Sequence, residues 1–231
     1  CLYAGEASLV DRWFGYLLET VERLGMARDT AIIFTSDHGF YHGEHGLIGK
    51  VQLDREGTIY KRWPLYDTIA HIPLLVKIPG LQRGLDVSDA FCQPPDLMPT
   101  ILDLVGVTVP ATVQGKSLLP VIKGERQAVR DSAISSLTYV QDDDVRSPTS
   151  FRTKDFLYVY GGDEWPNELY DLRQDAMEAR NILDEALEEG KVLHEAYLAF
   201  LEAIACPPER LDGRRQFRPE RRDEVPYRKV I

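Results

Sequence analysis

One short run constrains the fold of this chain more than any other: Ala31-Ile32-Ile33-Phe34-Thr35, followed at once by Ser36-Asp37-His38-Gly39. A continuous apolar run of that length, rich in branched and aromatic residues, predicts a buried strand of the kind found in parallel sheets. Such a strand needs helices to cover it. Upstream, Val10, Trp13, Phe14, Leu17, Leu18, Val21 and Leu24 recur at three- and four-residue spacing, which predicts an amphipathic helix over residues 6–24 with Gly25 at its cap. Ile72 to Ile78, closed by Pro79-Gly80, reads as a second strand of the same type. Residues 95–106 read as another helix, opened by Pro95 and Asp96 and ended by Gly106. Helix, strand, loop, strand, helix is the rhythm of an α/β layered fold.

The texture changes near residue 129. Short strand-like runs at 132–137, 156–160 and 168–170 are separated by polar turns, and a long helical stretch follows at 176–205. These predict a small antiparallel sheet with a covering helix. Two domains are therefore expected, residues 1–128 and residues 129–231. The net charge of −10 argues against a nucleic-acid partner, although residues 206–231, with eight basic and five acidic side chains, form a basic tail read as a solvated extension. No apolar run approaches the roughly 18 residues that a membrane-spanning helix needs. No signal peptide is visible at the start, which is Cys1 rather than Met. Three cysteines make no disulfide framework.

The chemistry concentrates just past the first strand, where open α/β sheets bind ligands. Asp37 and His38 offer a carboxylate oxygen and an imidazole nitrogen, a reasonable half-set of ligands for a divalent cation. The segment continues through Gly43-Glu44-His45-Gly46 to Lys50, a point charge suited to an anionic substrate. Spacing alone leaves a second reading open, in which Asp37 caps a turn and Lys50 is solvated.

The string SDHG…GEHGLIGK at 36–50 resembles the sulfatase family of the alkaline-phosphatase superfamily. The similarity continues in order through residues 3–39, 64–80 (PLYDTIAHIPLLVKIPG), 96–107 (DLMPTILDLVGV), 114–124 (QGKSLLPVIKG) and 167–183 (NELYDLRQDAMEARNIL). The resemblance implies part of an alkaline-phosphatase-like sandwich with a small C-terminal subdomain. It also implies metal-dependent hydrolysis of a small-molecule or glycan sulfate ester, with Asp37 and His38 among the ligands of a divalent metal. Ca²⁺ is the expected ion, with Mg²⁺ or Mn²⁺ as alternatives. Lys50 would act in catalysis by contacting the sulfate oxygens. The same pattern occurs in phosphonate monoester and phosphodiester hydrolases, and a non-catalytic relative that binds sulfated glycans is the reading from another class.

The departures are informative. The family's nucleophile motif, a Cys or Ser converted to formylglycine within C/S-x-P/A-x-R, is absent. Cys92-Gln93-Pro94-Pro95-Asp96 has Asp where Arg is required, so Cys92 reads as structural, and Cys1 lacks the motif altogether. The chain thus resembles the C-terminal half of a sulfatase, with the formylglycine expected in an N-terminal half. Alone it is expected to be inactive. Residues 51–63 look like an insertion, either a solvated loop or a rim of the substrate pocket. His45 would either reach the substrate or brace its loop, and His71 would either hydrogen-bond a leaving group or support other site residues. His42 and His194 are expected at the surface, and Tyr158, Tyr160 and Tyr170 in the core. Compartment (cytoplasmic, periplasmic or secreted) and oligomeric state are not legible.

Overall fold

The computed structural model describes residues 2–49, 52–53, 59–60, 64–81, 87–136, 147–162 and 166–219. The chain opens with α1 (Leu2–Arg23) and β1 (Ile32–Thr35), then the short strands β2 (Tyr41–His42), β3 (Ile48–Gly49), β4 (Gln52–Leu53) and β5 (Ile59–Tyr60). One turn of helix, α2 (Asp67–Ala70), precedes β6 (Leu74–Lys77), and α3 (Leu97–Leu104) and α4 (Leu119–Ile122) follow. The remainder is β7 (Ser132–Ser136), β8 (Thr149–Thr153), β9 (Phe156–Tyr160), β10 (Glu168–Asp171), α5 (Leu187–Ala203) and α6 (Pro208–Asp212). No helix among the described residues is long and apolar enough to cross a membrane.

Two compact units result, one of residues 1–37 with 72–88, the other of residues 38–71 with 89–231. This division differs from the boundary expected after residue 128, because 38–71 and 89–128 group with the C-terminal sheet.

In the first unit β1 pairs with β6, Ile32 opposite Lys77 through Thr35 opposite Leu74. The pairing is antiparallel, which corrects the expectation of parallel strands. An apolar run reads alike in either direction, and neither strand is fully buried: Leu75 is 60% exposed. α1 begins earlier than expected and ends on Gly25, whose φ of 73° only glycine adopts at little cost. Phe14 packs on Phe34 with ring centroids 4.8 Å apart. The rest of the predicted apolar face is largely open, with Val10, Trp13 and Leu17 each more than half exposed.

The second unit is built on a four-stranded antiparallel sheet in the order β10-β9-β8-β7. Strand alternation sends Tyr158 and Tyr160 to one face, where they pack with Leu169, Leu193, Tyr197 and Leu201. It sends Leu157 and Val159 to the other face, against Tyr41, Leu47, Tyr66 and Ile69. The second face is what anchors the segment after the Asp-His pair. The tyrosines are core, as their spacing predicted. β8, Thr-Ser-Phe-Arg-Thr, was not foreseen, since its polar letters hide a strand whose Phe151 is buried.

The helix expected from 176 begins only at Leu187. The intervening residues turn instead, because Glu178 has a left-handed φ of 57°. The Asn181 side chain also accepts from the backbone N–H groups of Leu169 and Leu183, which ties the turn to β10. His194 corrects another expectation: it is 3% exposed rather than superficial. It shares the buried face of α5 with Gly190, Leu193, Tyr197 and Leu201, at helical spacing. Its Nδ1 meets the Tyr158 hydroxyl at 2.9 Å, and its Nε2 faces the Arg215 carbonyl at 3.3 Å.

α3 is held by Asp96, which is fully buried. Its carboxylate accepts from the N–H groups of Gln93 and Lys116, both at 2.8 Å, and pairs with Arg130. Gly115 must be glycine there, since a Cβ would lie 1.9 Å from the Pro95 carbonyl oxygen.

Candidate functional site

Residues 36–49 are wound by short-range contacts. The Ser36 hydroxyl donates to Asp37 Oδ1 at 3.5 Å, and Asp37 is exposed. His38 Nδ1 lies 2.8 Å from the Gly39 carbonyl. A carbonyl only accepts, so Nδ1 donates, and of the two neutral tautomers this contact selects the one with its lone pair on Nε2, as a metal-binding histidine needs. Gly39 donates to the Ile69 carbonyl at 2.8 Å. A Cβ at Gly39 would stand 2.1 Å from the Thr68 carbonyl oxygen, so the glycine of the Asp-His-Gly string is required by close approach to α2.

Tyr41, fully buried, donates its hydroxyl to the Pro64 carbonyl and accepts from the Tyr66 N–H. Burial pushes the Tyr41 hydroxyl far above its ordinary range, so it stays protonated as a donor. Tyr66 in turn donates to Glu168 at 2.6 Å, and Tyr170 donates to the same oxygen at 2.7 Å. On this platform lies His45, its ring stacked on Tyr66 at 3.6 Å with a 9° tilt. His45 has a φ of 54°, unusual for a residue with a side chain.

Beside it sits a group of charges that the sequence did not single out. Glu178, 2% exposed, accepts from the Asp67 N–H at 3.0 Å and from Arg152 Nη1 at 3.1 Å. Its Oε2 lies 3.9 Å from His45 Nε2. Arg152 also reaches Asp67 Oδ1 at 3.0 Å, and Asp67 Oδ2 meets His71 Nδ1 at 3.2 Å. Burial pushes the Glu178 carboxyl up to about 7, against the opposing pull of the Asp67 N–H and Arg152. Asp67, Thr68, His71, Ala176, Met177 and Glu178 line a cavity of about 240 Å³. His71 is itself exposed, with its proton on Nδ1 toward the Asp67 carboxylate and Nε2 on the far side of the ring.

The structure thus gathers His45 and His71 around Glu178 and Asp67. Among the described residues no group of three or more His, Cys, Asp or Glu forms a metal-holding cluster. Lys50 lies outside the described residues, as does most of the 51–63 stretch. His42 is exposed as expected, and Cys92 is a free, exposed thiol. Glu178, Asp67 and Arg152 were missed because they meet only through the fold. The clearest signal was two carboxylates, Asp67 and Glu178, inside segments already notable for other reasons.

Comparison with known proteins bears on the same stretches. The sulfatase family model matches residues 2–107, and the model for the C-terminal part of N-sulphoglucosamine sulphohydrolase matches residues 55–198. The chain is 32% identical over 191 residues to an N-acetylglucosamine-6-O-sulfatase of Bacteroides thetaiotaomicron, covering 80% of this chain and 32% of that protein. It is 28% identical over 185 residues to a choline-sulfatase of Rhizobium meliloti, covering 79% and 32%. Among solved structures, one in complex with its substrate D-glucosamine-2-N,6-O-disulfate superposes with a TM-score of 0.71 at 29% identity, over 87% of this chain and 40% of that one. The phosphonate monoester hydrolase of Agrobacterium radiobacter superposes with a TM-score of 0.67 at 26% identity, over 85% and 39%. The chain spans about a third of the length of the curated relatives it matches. Since the matched stretch contains both the Asp37-His38-Gly39 turn and the strand and turn that carry Glu178, this chain belongs to the sulfatase family of the alkaline-phosphatase superfamily.

Proposed function

We propose that the protein hydrolyses sulfate esters with the help of a divalent cation, and that this chain supplies part of the site. The observation that carries the reading is the coincidence of the family match with the chemistry of residues 36–49, where Asp37 and His38 are consecutive and the His38 Nδ1 donates to the Gly39 carbonyl. This donor chemistry fits the edge of a cation site, and Asp37 and His38 would hold the ion, expected to be Ca²⁺. When bound, the cation supplies charge neutralisation for the ester oxygens. Lys50 binds the sulfate and stabilises its developing charge. His71, its Nδ1–H held by the Asp67 carboxylate, would as an imidazolium donate Nε2–H to the leaving-group oxygen of the ester. The nucleophile, a formylglycine, would come from residues outside this chain. A sulfated sugar is the favoured substrate class, following the names of the relatives.

A phosphonate monoester is the second reading, favoured by the hydrolase that superposes over 85% of the chain. The test is turnover by the full-length protein of an aryl sulfate, a sulfated glucosamine and a phosphonate monoester, side by side. In the same protein Asp37→Ala should lower bound metal and activity together. Unchanged metal content by elemental analysis would sink the ligand assignment, and faster phosphonate turnover would favour the second reading.

A further inference from the structure

Two residues of the second unit carry side chains on a left-handed backbone and also face one another: His45 at φ 54° and Glu178 at φ 57°. Backbone of this kind persists where the surroundings over-determine it, and such positions gather at working sites. Glu178 gives both oxygens to this task. One accepts from the Asp67 N–H and faces His45 Nε2, and the other accepts from Arg152 on β8. Arg152 returns to the Asp67 carboxylate, whose other oxygen meets His71. The loop that holds His45 is otherwise easy to displace. Gly43, Gly46 and Gly49 all have positive φ, and glycine gives the chain little stiffness of its own.

We propose that Glu178 is a positioning residue of the reaction. It latches the Gly43–Gly49 loop, which runs on in sequence to Lys50, and the Asp67–His71 turn onto the C-terminal sheet. The latch thereby governs the placement of His45 and of His71 Nε2. Of the two roles open to His45, bracing its loop is the one this geometry favours. The proposal rests on the sulfatase reading only for what the latch serves, since the latch itself is a matter of contacts among 43–49, 66–71, 152 and 178.

The test uses the full-length protein with Glu178→Ala and Glu178→Gln. Amide hydrogen exchange is read in peptides covering 40–49, 64–72 and, as a control, 187–203. In Glu178→Ala, exchange at 40–49 and 64–72 should rise about tenfold or more, with the α5 control unchanged. Glu178→Gln keeps an acceptor for the Asp67 N–H and should restore much of the protection at 64–72. On an aryl sulfate, Glu178→Ala should lower kcat by about tenfold or more with KM nearly constant, as when a transition-state contact is misplaced, and Glu178→Gln should recover part of it. Unchanged exchange at 40–49 would overturn the latch whatever the activity. Raised exchange across α5 as well, in both variants, would overturn it in favour of a general folding role. Local loosening in a protein whose wild type turns over no sulfate ester would uphold the latch and overturn the sulfatase reading.

Discussion

Glu178→Gln should change how stability depends on pH, and the size follows from the burial of that carboxyl. Folding raises it from 4.5 to about 7, chiefly by desolvation, with Asp67 adding repulsion and Arg152 and the Asp67 N–H opposing. The sign is that of an acid held protonated by the fold. Below pH 4.5 the group binds its proton in both states and has no effect. Between 4.5 and about 7 the unfolded chain releases the proton while the folded one retains it, so stability falls as pH rises. At about 1.4 kcal/mol per unit, the loss across that window is about 3 kcal/mol. Glutamine keeps the shape and cannot ionise. Urea unfolding of the full-length wild type and variant at pH 4.5, 5.5, 6.5 and 7.5 therefore gives a stability difference that moves by about 3 kcal/mol toward the variant. His45 on the facing loop and Asp67 are present in both proteins, so what differs between the two curves is the titration of Glu178 together with its coupling to these neighbours. A difference that stays flat, or that moves toward the wild type as pH rises, would refute this account of the carboxyl.

Lys50→Ala should lower kcat on a sulfate ester by about 10²-fold while leaving bound metal unchanged, read by steady-state kinetics and elemental analysis. Gly39→Ala should cost about 2–3 kcal/mol in urea unfolding, because the new methyl would press on the Thr68 carbonyl and part Gly39 N–H from Ile69. His194 titrates in the opposite sense to Glu178. Burial lowers it below 6.5, so its contribution is intact above that pH and is lost as pH falls further. Wild type should accordingly lose more stability than His194→Gln between pH 6.5 and 4.5, and parallel curves for the two proteins would contradict this.

Much of the fold was legible where local chemistry decides it. Pro95 and Asp96 at one end of α3 and Gly106, with φ 73°, at the other bracketed the helix. Tyrosines at strand spacing marked β9. What stayed hidden was decided by partners distant in the chain. The direction of pairing between β1 and β6 leaves no trace in two apolar runs. β8 looks polar because its Arg152 and two threonines serve contacts rather than solvent. His194 reads as a surface residue until Tyr158 and the Arg215 carbonyl supply its hydrogen bonds. The candidate site divides in the same way. Asp37, His38, His45 and His71 were visible as residue types in a telling order, whereas Glu178, Asp67 and Arg152 gain meaning only when the C-terminal turn folds back on them.

The buried Asp96 has one further consequence. It grips backbone on both sides of the exposed loop at 106–112, at Gln93 before it and at Lys116 after it, while Thr100 accepts from the Leu118 N–H. Chain scission within Val107–Thr112 would therefore leave the two pieces clasped by contacts that do not pass through the cut. That makes this loop the natural seam of the molecule, the place to open new termini, splice in a reporter or rejoin separately produced halves.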